Sequence, residues 1–161
     1  MKTRMTLAAG IAIAALAATA VIGGSHADKE ALAAVKARKA TMTLYAYELG
    51  VLGGMARGTI DYDAAAASTA ASNLAKITSM NQMRIWAPGT STAELGEDVT
   101  EALPKIWESG SKAAEIGQEL ASAAAAMEAA AGNGLEDLRG AIGAVGKTCG
   151  ACHESYRTPK S

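Results

Sequence analysis

The sequence contains no phenylalanine, and aromatic residues make up only 4% of its 161 residues. Three prolines are too few for a disordered linker protein. Two cysteines cannot staple a disulfide-dense mini-protein. The formal net charge of −1 excludes a strongly basic nucleic-acid binder. Hydrophobic residues are not lacking, because they make up 50% of the chain. Without aromatics that content is mostly Ala, with Leu, Ile, Val and Met. Ala is the best helix former and a poor strand former. No segment alternates apolar and polar residues long enough to read as a strand, and no solenoid repeat is present.

The N-terminal 27 residues read as an export signal. Lys2 and Arg4 give a positive start, and Leu7 to Ile22 is an almost unbroken apolar run. Ser25-His26-Ala27 offers a cleavage site before Asp28. The other reading is an uncleaved anchor, but the run is Ala-rich and ends in Gly23-Gly24-Ser25. Cleavage leaves one domain, residues 28–161, with 13 basic and 16 acidic residues, a formal charge of −3. A second long apolar run is lacking, so no membrane association is expected after cleavage. The expected compartment is the periplasm, which is oxidising.

Four helical patterns follow. Leu32, Val35, Met42, Ala46, Leu49, Gly53 and Ala56 repeat at three- and four-residue spacings and predict a helix over 29–56. Asp61 and Asp63 are natural caps for a second helix over 63–83. A loop with Pro88-Gly89-Thr90 then leads to a third helix over 103–131, with Pro104 in its first turn. Gly132-Asn133-Gly134 marks a turn, and Leu135, Leu138, Ile142, Val145, Cys149, Cys152 and Tyr156 predict a fourth helix over 135–157. The fold expected is all-α, an antiparallel up-down-up-down four-helix bundle.

The chemistry concentrates in Cys149-Gly150-Ala151-Cys152-His153. C-x-x-C-H is the attachment motif of c-type haem. The thiols of Cys149 and Cys152 add to two haem vinyl groups, and the adjacent His153 is placed to bind the iron. His26 leaves with the signal, so His153 is the one histidine of residues 28–161. That leaves little room for a zinc site or a catalytic triad, and nothing besides haem offers a nucleophile or general base, so no enzymatic role is expected. Competing readings of the cysteines are a thioredoxin-like redox pair, a disulfide across one helical turn, and half of a zinc ribbon. The first lacks its βαβ pattern and the last its second C-x-x-C.

A C-terminal motif in a helical chain narrows the class. Arg38-Lys39-Ala40-Thr41-Met42, Met55-Ala56-Arg57-Gly58, Tyr62-Asp63-Ala64-Ala65-Ala66, Pro88-Gly89-Thr90, Ile106-Trp107 and the block from Gly143 to Arg157 together resemble the cytochrome c′ family, the class II cytochromes c. The resemblance spans residues 28–161 and implies a four-helix bundle, often a homodimer, with one covalently attached haem c per chain. It implies that His153 is the proximal ligand, flanked by Arg157. It places Arg38 and Lys39 near the haem propionates, Glu94 near the haem edge, and Met42 over the distal face.

Met42 separates two readings. In the preferred one, its side chain covers a five-coordinate iron that binds NO or CO, and the protein binds gas, carries electrons, or both. In the alternative, the Met42 thioether is the sixth ligand of a low-spin haem, and the protein exchanges electrons with redox proteins. Two other function classes, a thiol-disulfide enzyme and a cofactor-free bundle, predict respectively titratable cysteines and neither haem nor thiol chemistry.

Overall fold

The computed structural model describes residues 23–159. Four long helices and two short helical turns follow one another: α1 (Gly23–Arg57), α2 (Ala64–Ser79), α3 (Thr92–Leu95), a 3₁₀ turn (Pro104–Ile106), α4 (Ala113–Ala130) and α5 (Leu135–Tyr156). Helix α1 packs on α2 and α5, and α4 packs on the same two, so the four long helices close a ring. No strand occurs among the described residues; the nearest thing is an isolated antiparallel bridge between Ala102 and Arg157. Residues 1–22, most of the expected export signal, lie outside the described residues, and α1 continues through the expected cleavage point before Asp28.

Local chemistry explains the ends. Helix α1 stops where Gly58 adopts φ +74°, a conformation open to glycine, and donates its N–H to the Met55 carbonyl at 3.0 Å. Asp63 caps α2 by accepting from the Ala66 N–H at 2.7 Å.

Two expected boundaries are corrected. Helix α2 ends at Ser79 rather than at residue 83. Met80 turns extended, and the Gln82 amide donates to the Ile77 carbonyl at 3.2 Å, taking a helix-end acceptor. The third long helix begins at Ala113, ten residues later than expected. Between them the chain is committed elsewhere. The Leu103 N–H goes to the Tyr156 carbonyl at 3.0 Å, and the Lys112 N–H goes to the Tyr156 hydroxyl at 2.7 Å. Pro104 does occupy the start of a helical turn, but of the 3₁₀ turn.

The core is built from Leu52 and Met55 of α1, Leu74 of α2, Met127 of α4, and Leu138 and Val145 of α5, with alanines between them. Ala67, Ala71 and Ala124 are fully buried. Their small side chains let the helices approach closely, and each large buried side chain contributes about 1.5–3 kcal/mol.

Candidate haem site

Helix α5 carries Leu138, Val145, Cys149, Cys152 and Tyr156 toward the bundle interior. Leu138, Val145 and Tyr156 are buried, and Cys149 packs directly on the core. Both cysteines are unpaired and half-buried. Burial raises both thiol pKa values, so the thiols are protonated at neutral pH. A thiol-disulfide enzyme needs the opposite, an electropositive setting that stabilises thiolate.

A covalently attached haem fits this arrangement. Two reduced thiols lie three residues apart on one helix, with His153 adjoining the second. Side chains added at Gly143, Gly146 or Gly150 would meet nothing within 4 Å, so open space runs along α5 beside the pair. No group of three or more His, Cys, Asp or Glu that could hold a metal ion occurs among the described residues, whereas an iron held in a porphyrin needs only an axial ligand. His153 is exposed, and the Arg157 Nη1 lies 3.4 Å from its Nδ1. The two residues are one helical turn apart.

Arg38 is the most engaged of the residues the resemblance singled out. It is only 4% exposed, and none of its hydrogen bonds among the described residues goes to a carboxylate. Its Nη1 donates to the Ile85 carbonyl at 3.3 Å and the Thr90 hydroxyl at 3.0 Å. Its Nη2 donates to the Thr90 carbonyl at 3.0 Å and the Thr100 hydroxyl at 2.7 Å. The guanidinium also lies 4.7 Å from the Trp86 ring centre and 6.0 Å from that of Trp107. Burial lowers its pKa from the ordinary arginine value. Arg38 thus pins the long α2–α4 connection onto α1.

The other positions are arranged differently. Lys39 is exposed beside Arg38. Met42 is half-buried and packs on the same core as Cys149. Glu94 sits in α3, where its carboxylate accepts from the Ser91 backbone N–H at 3.0 Å and pairs with the Ser91 hydroxyl, closing a capping box.

Several residues of the site carry no sequence signal. Gln82 donates to the Tyr45 hydroxyl at 2.6 Å and accepts from the Trp86 indole at 3.3 Å. The Trp107 indole donates to the Trp86 carbonyl at 3.0 Å. Tyr45, buried on α1, is thereby tied through Gln82 to the tryptophans that flank Arg38. The preceding Pro88-Gly89 turn marks Thr90 as a loop residue, but only the fold shows that it holds Arg38.

A helical bundle with such a motif in its last helix is the architecture of a class II c-type cytochrome. Residues 33–157 match the family model described as Cytochrome C′, and the chain belongs to that family. It carries covalently bound haem c. It is 46% identical over 123 residues to a cytochrome c-554 of Cereibacter sphaeroides, covering 76% of this chain and 91% of the relative. It is 37% identical over 150 residues to a cytochrome c′ of the same species, covering 93% and 98%. Among solved structures, cytochrome c′ from Rhodobacter sphaeroides superposes with a TM-score of 0.76 at 39% identity, covering 81% of this chain and 98% of the other. A nitric oxide complex of a mutant cytochrome c prime from Alcaligenes xylosoxidans superposes at 0.68 with 30% identity, covering 79% and 94%.

Proposed function

We propose that this chain is a periplasmic haem protein whose iron is five-coordinate and binds NO or CO, carries electrons, or both. The observation that carries the reading is the common setting of Cys149, Cys152 and His153: two unpaired, half-buried thiols and an adjacent imidazole beside the bundle core. The haem supplies an iron that changes oxidation state and binds diatomic gases. Cys149 and Cys152 hold its edge by thioether bonds. His153 would supply a nitrogen ligand to the iron, and since Nδ1 lies toward Arg157 we assign Nε2 to that role. Met42, packed on the core from α1, shields the other face. Arg38 and Lys39 offer positive charge toward the propionates, although the Nη atoms of Arg38 already serve Ile85, Thr90 and Thr100. Glu94 would lie toward the haem edge, while its carboxylate closes the capping box with Ser91. Support for gas binding comes from structural relatives solved with nitric oxide and with carbon monoxide.

Export rests on the apolar run ahead of Asp28, with residues 28–161 as the mature domain. No helix of the described residues is long and apolar enough to cross a membrane. Self-association rests on the outward side of α1, where Leu44 and Tyr47 are 49% and 69% exposed, and on a structural relative described by its ligand-controlled dimer dissociation.

Optical spectra of the mature haem-loaded protein, ferric and ferrous, before and after CO, test the reading. Broad high-spin bands that change on CO addition are expected. Sharp low-spin bands indifferent to CO would instead make Met42 the sixth ligand and electron transfer the function.

A further inference from the structure

The C-terminal end of α5 is sewn to the connection that precedes the 3₁₀ turn. Ala102 pairs with Arg157 in the isolated bridge, the Thr158 N–H donates to the Glu101 carbonyl at 2.8 Å, and the Leu103 N–H donates to the Tyr156 carbonyl at 3.0 Å. These backbone bonds set the register of positions 101 and 157. Across that register the Glu101 Oε2 faces the Arg157 Nε at 3.8 Å. That Nε is shut off from solvent, and its N–H donates no hydrogen bond among the described residues. A buried N–H without an acceptor costs about 1–3 kcal/mol, so a small rotation that brings the carboxylate into hydrogen-bond range is favoured. At the other end of the same guanidinium, Nη1 lies 3.4 Å from the His153 Nδ1. Both ends of a rigid, planar cation are therefore placed, one by a carboxylate and one by the imidazole.

We propose that Glu101 is a positioning residue for the proximal side of the haem: it holds the Arg157 guanidinium beside His153 and so sets how much positive charge the iron's axial ligand feels. This rests on the reading of His153 as the iron ligand. An exposed ion pair would be too weak and mobile for the task. Here the backbone bridge fixes the approach, and one of the two facing atoms is buried. Guanidinium has donors only, so it cannot accept a proton from the imidazole. Its influence is the field it places at the ring, and that field depends on where it is held.

The test is a double-mutant cycle on the reduction potential of the haem-loaded protein, using Glu101→Gln, Arg157→Gln and the pair. Removing the Glu101 charge raises the potential by itself. If Glu101 holds Arg157, its loss also releases the guanidinium into solvent, and the two charge changes partly cancel. The expected result is that Glu101→Gln raises the potential less when Arg157 is present than when residue 157 is Gln. Equal shifts in the two backgrounds, or a larger shift with Arg157 present, would overturn the proposal. Arg157→Met, which keeps an unbranched stem, replaces Arg157→Gln should that variant not fold. The cycle reads the same whether the iron is five- or six-coordinate. A wild-type chain that takes up no haem would sink this inference and the functional reading together, whereas a loaded chain with additive shifts sinks this inference alone.

Discussion

Arg38 shows how a single side chain can organise a loop. Its guanidinium meets neutral oxygens and two indole rings, and the Thr90 and Thr100 hydroxyls that serve it are themselves buried. Arg38→Leu removes all four hydrogen bonds, takes the donor from the Ile85 and Thr90 carbonyls, and removes the cation from the tryptophan face, so it should cost about 2–4 kcal/mol, read from denaturant unfolding. Arg38→Lys should recover only part of this, because an ammonium cannot span four oxygens with a planar fork. An unfolding midpoint for Arg38→Leu that matches wild type would show that the connection is held without it. At Met42 the expected result is spectroscopic. Met42→Leu keeps the volume and removes the sulfur, so a five-coordinate site should show an unchanged ferric spectrum and an altered gas affinity. A change from low to high spin on the same substitution would identify the thioether as a ligand.

The short helix α3 gives the long connection between α2 and α4 a defined geometry near its middle. Ser91 is 1% exposed and its capping box with Glu94 holds α3 at its first turn. Ser91→Ala should lower stability by about 1 kcal/mol in thermal or denaturant melts. The hydrogen bond from the Ser91 hydroxyl holds the Glu94 carboxyl below the usual carboxylate range. Its stabilising contribution is therefore full above the ordinary glutamate pKa and is lost as pH falls through the lowered value. Acid unfolding of a Glu94→Gln variant should accordingly show a weaker pH dependence in that window than wild type.

The same scale explains what the amino-acid order could convey. Helix α5 was legible to within a residue because apolar spacing, the Gly132-Asn133-Gly134 turn and Pro159 agree. Helix α4 was not, since Leu103 and Ile106 fit a helical stripe while the backbone around them is bonded to Tyr156, far along the sequence, which no local pattern encodes. The C-x-x-C-H motif announced its own chemistry, because covalent attachment needs those residue types at that spacing. The partners of Arg38, and the facing of Glu101 and Arg157, arise only when the chain closes.

At the level of the whole molecule, the four long helices leave Leu44 and Tyr47 uncovered on the outward side of α1, away from the core-facing Tyr45 and Leu52. Charge placed there should block the proposed self-association without touching the haem site. Leu44→Glu combined with Tyr47→Glu is expected to sediment as a monomer with wild-type haem content and optical spectrum. A variant pair that stays dimeric would move the interface to another face. The order of helices along the chain has a further consequence, in time rather than in space. Because Cys149, Cys152 and His153 lie near the end of the last long helix, α1, α2 and α4 all precede the attachment motif as the exported chain emerges. Those three can begin to collapse on their own alanine-rich faces, and α5 must find its place against both α1 and α4. Haem attachment therefore competes with bundle closure: the thiols that closure would bury must meet the porphyrin while α5 is still free to move, and slowing the docking of α5 should raise the haem-loaded fraction of the protein.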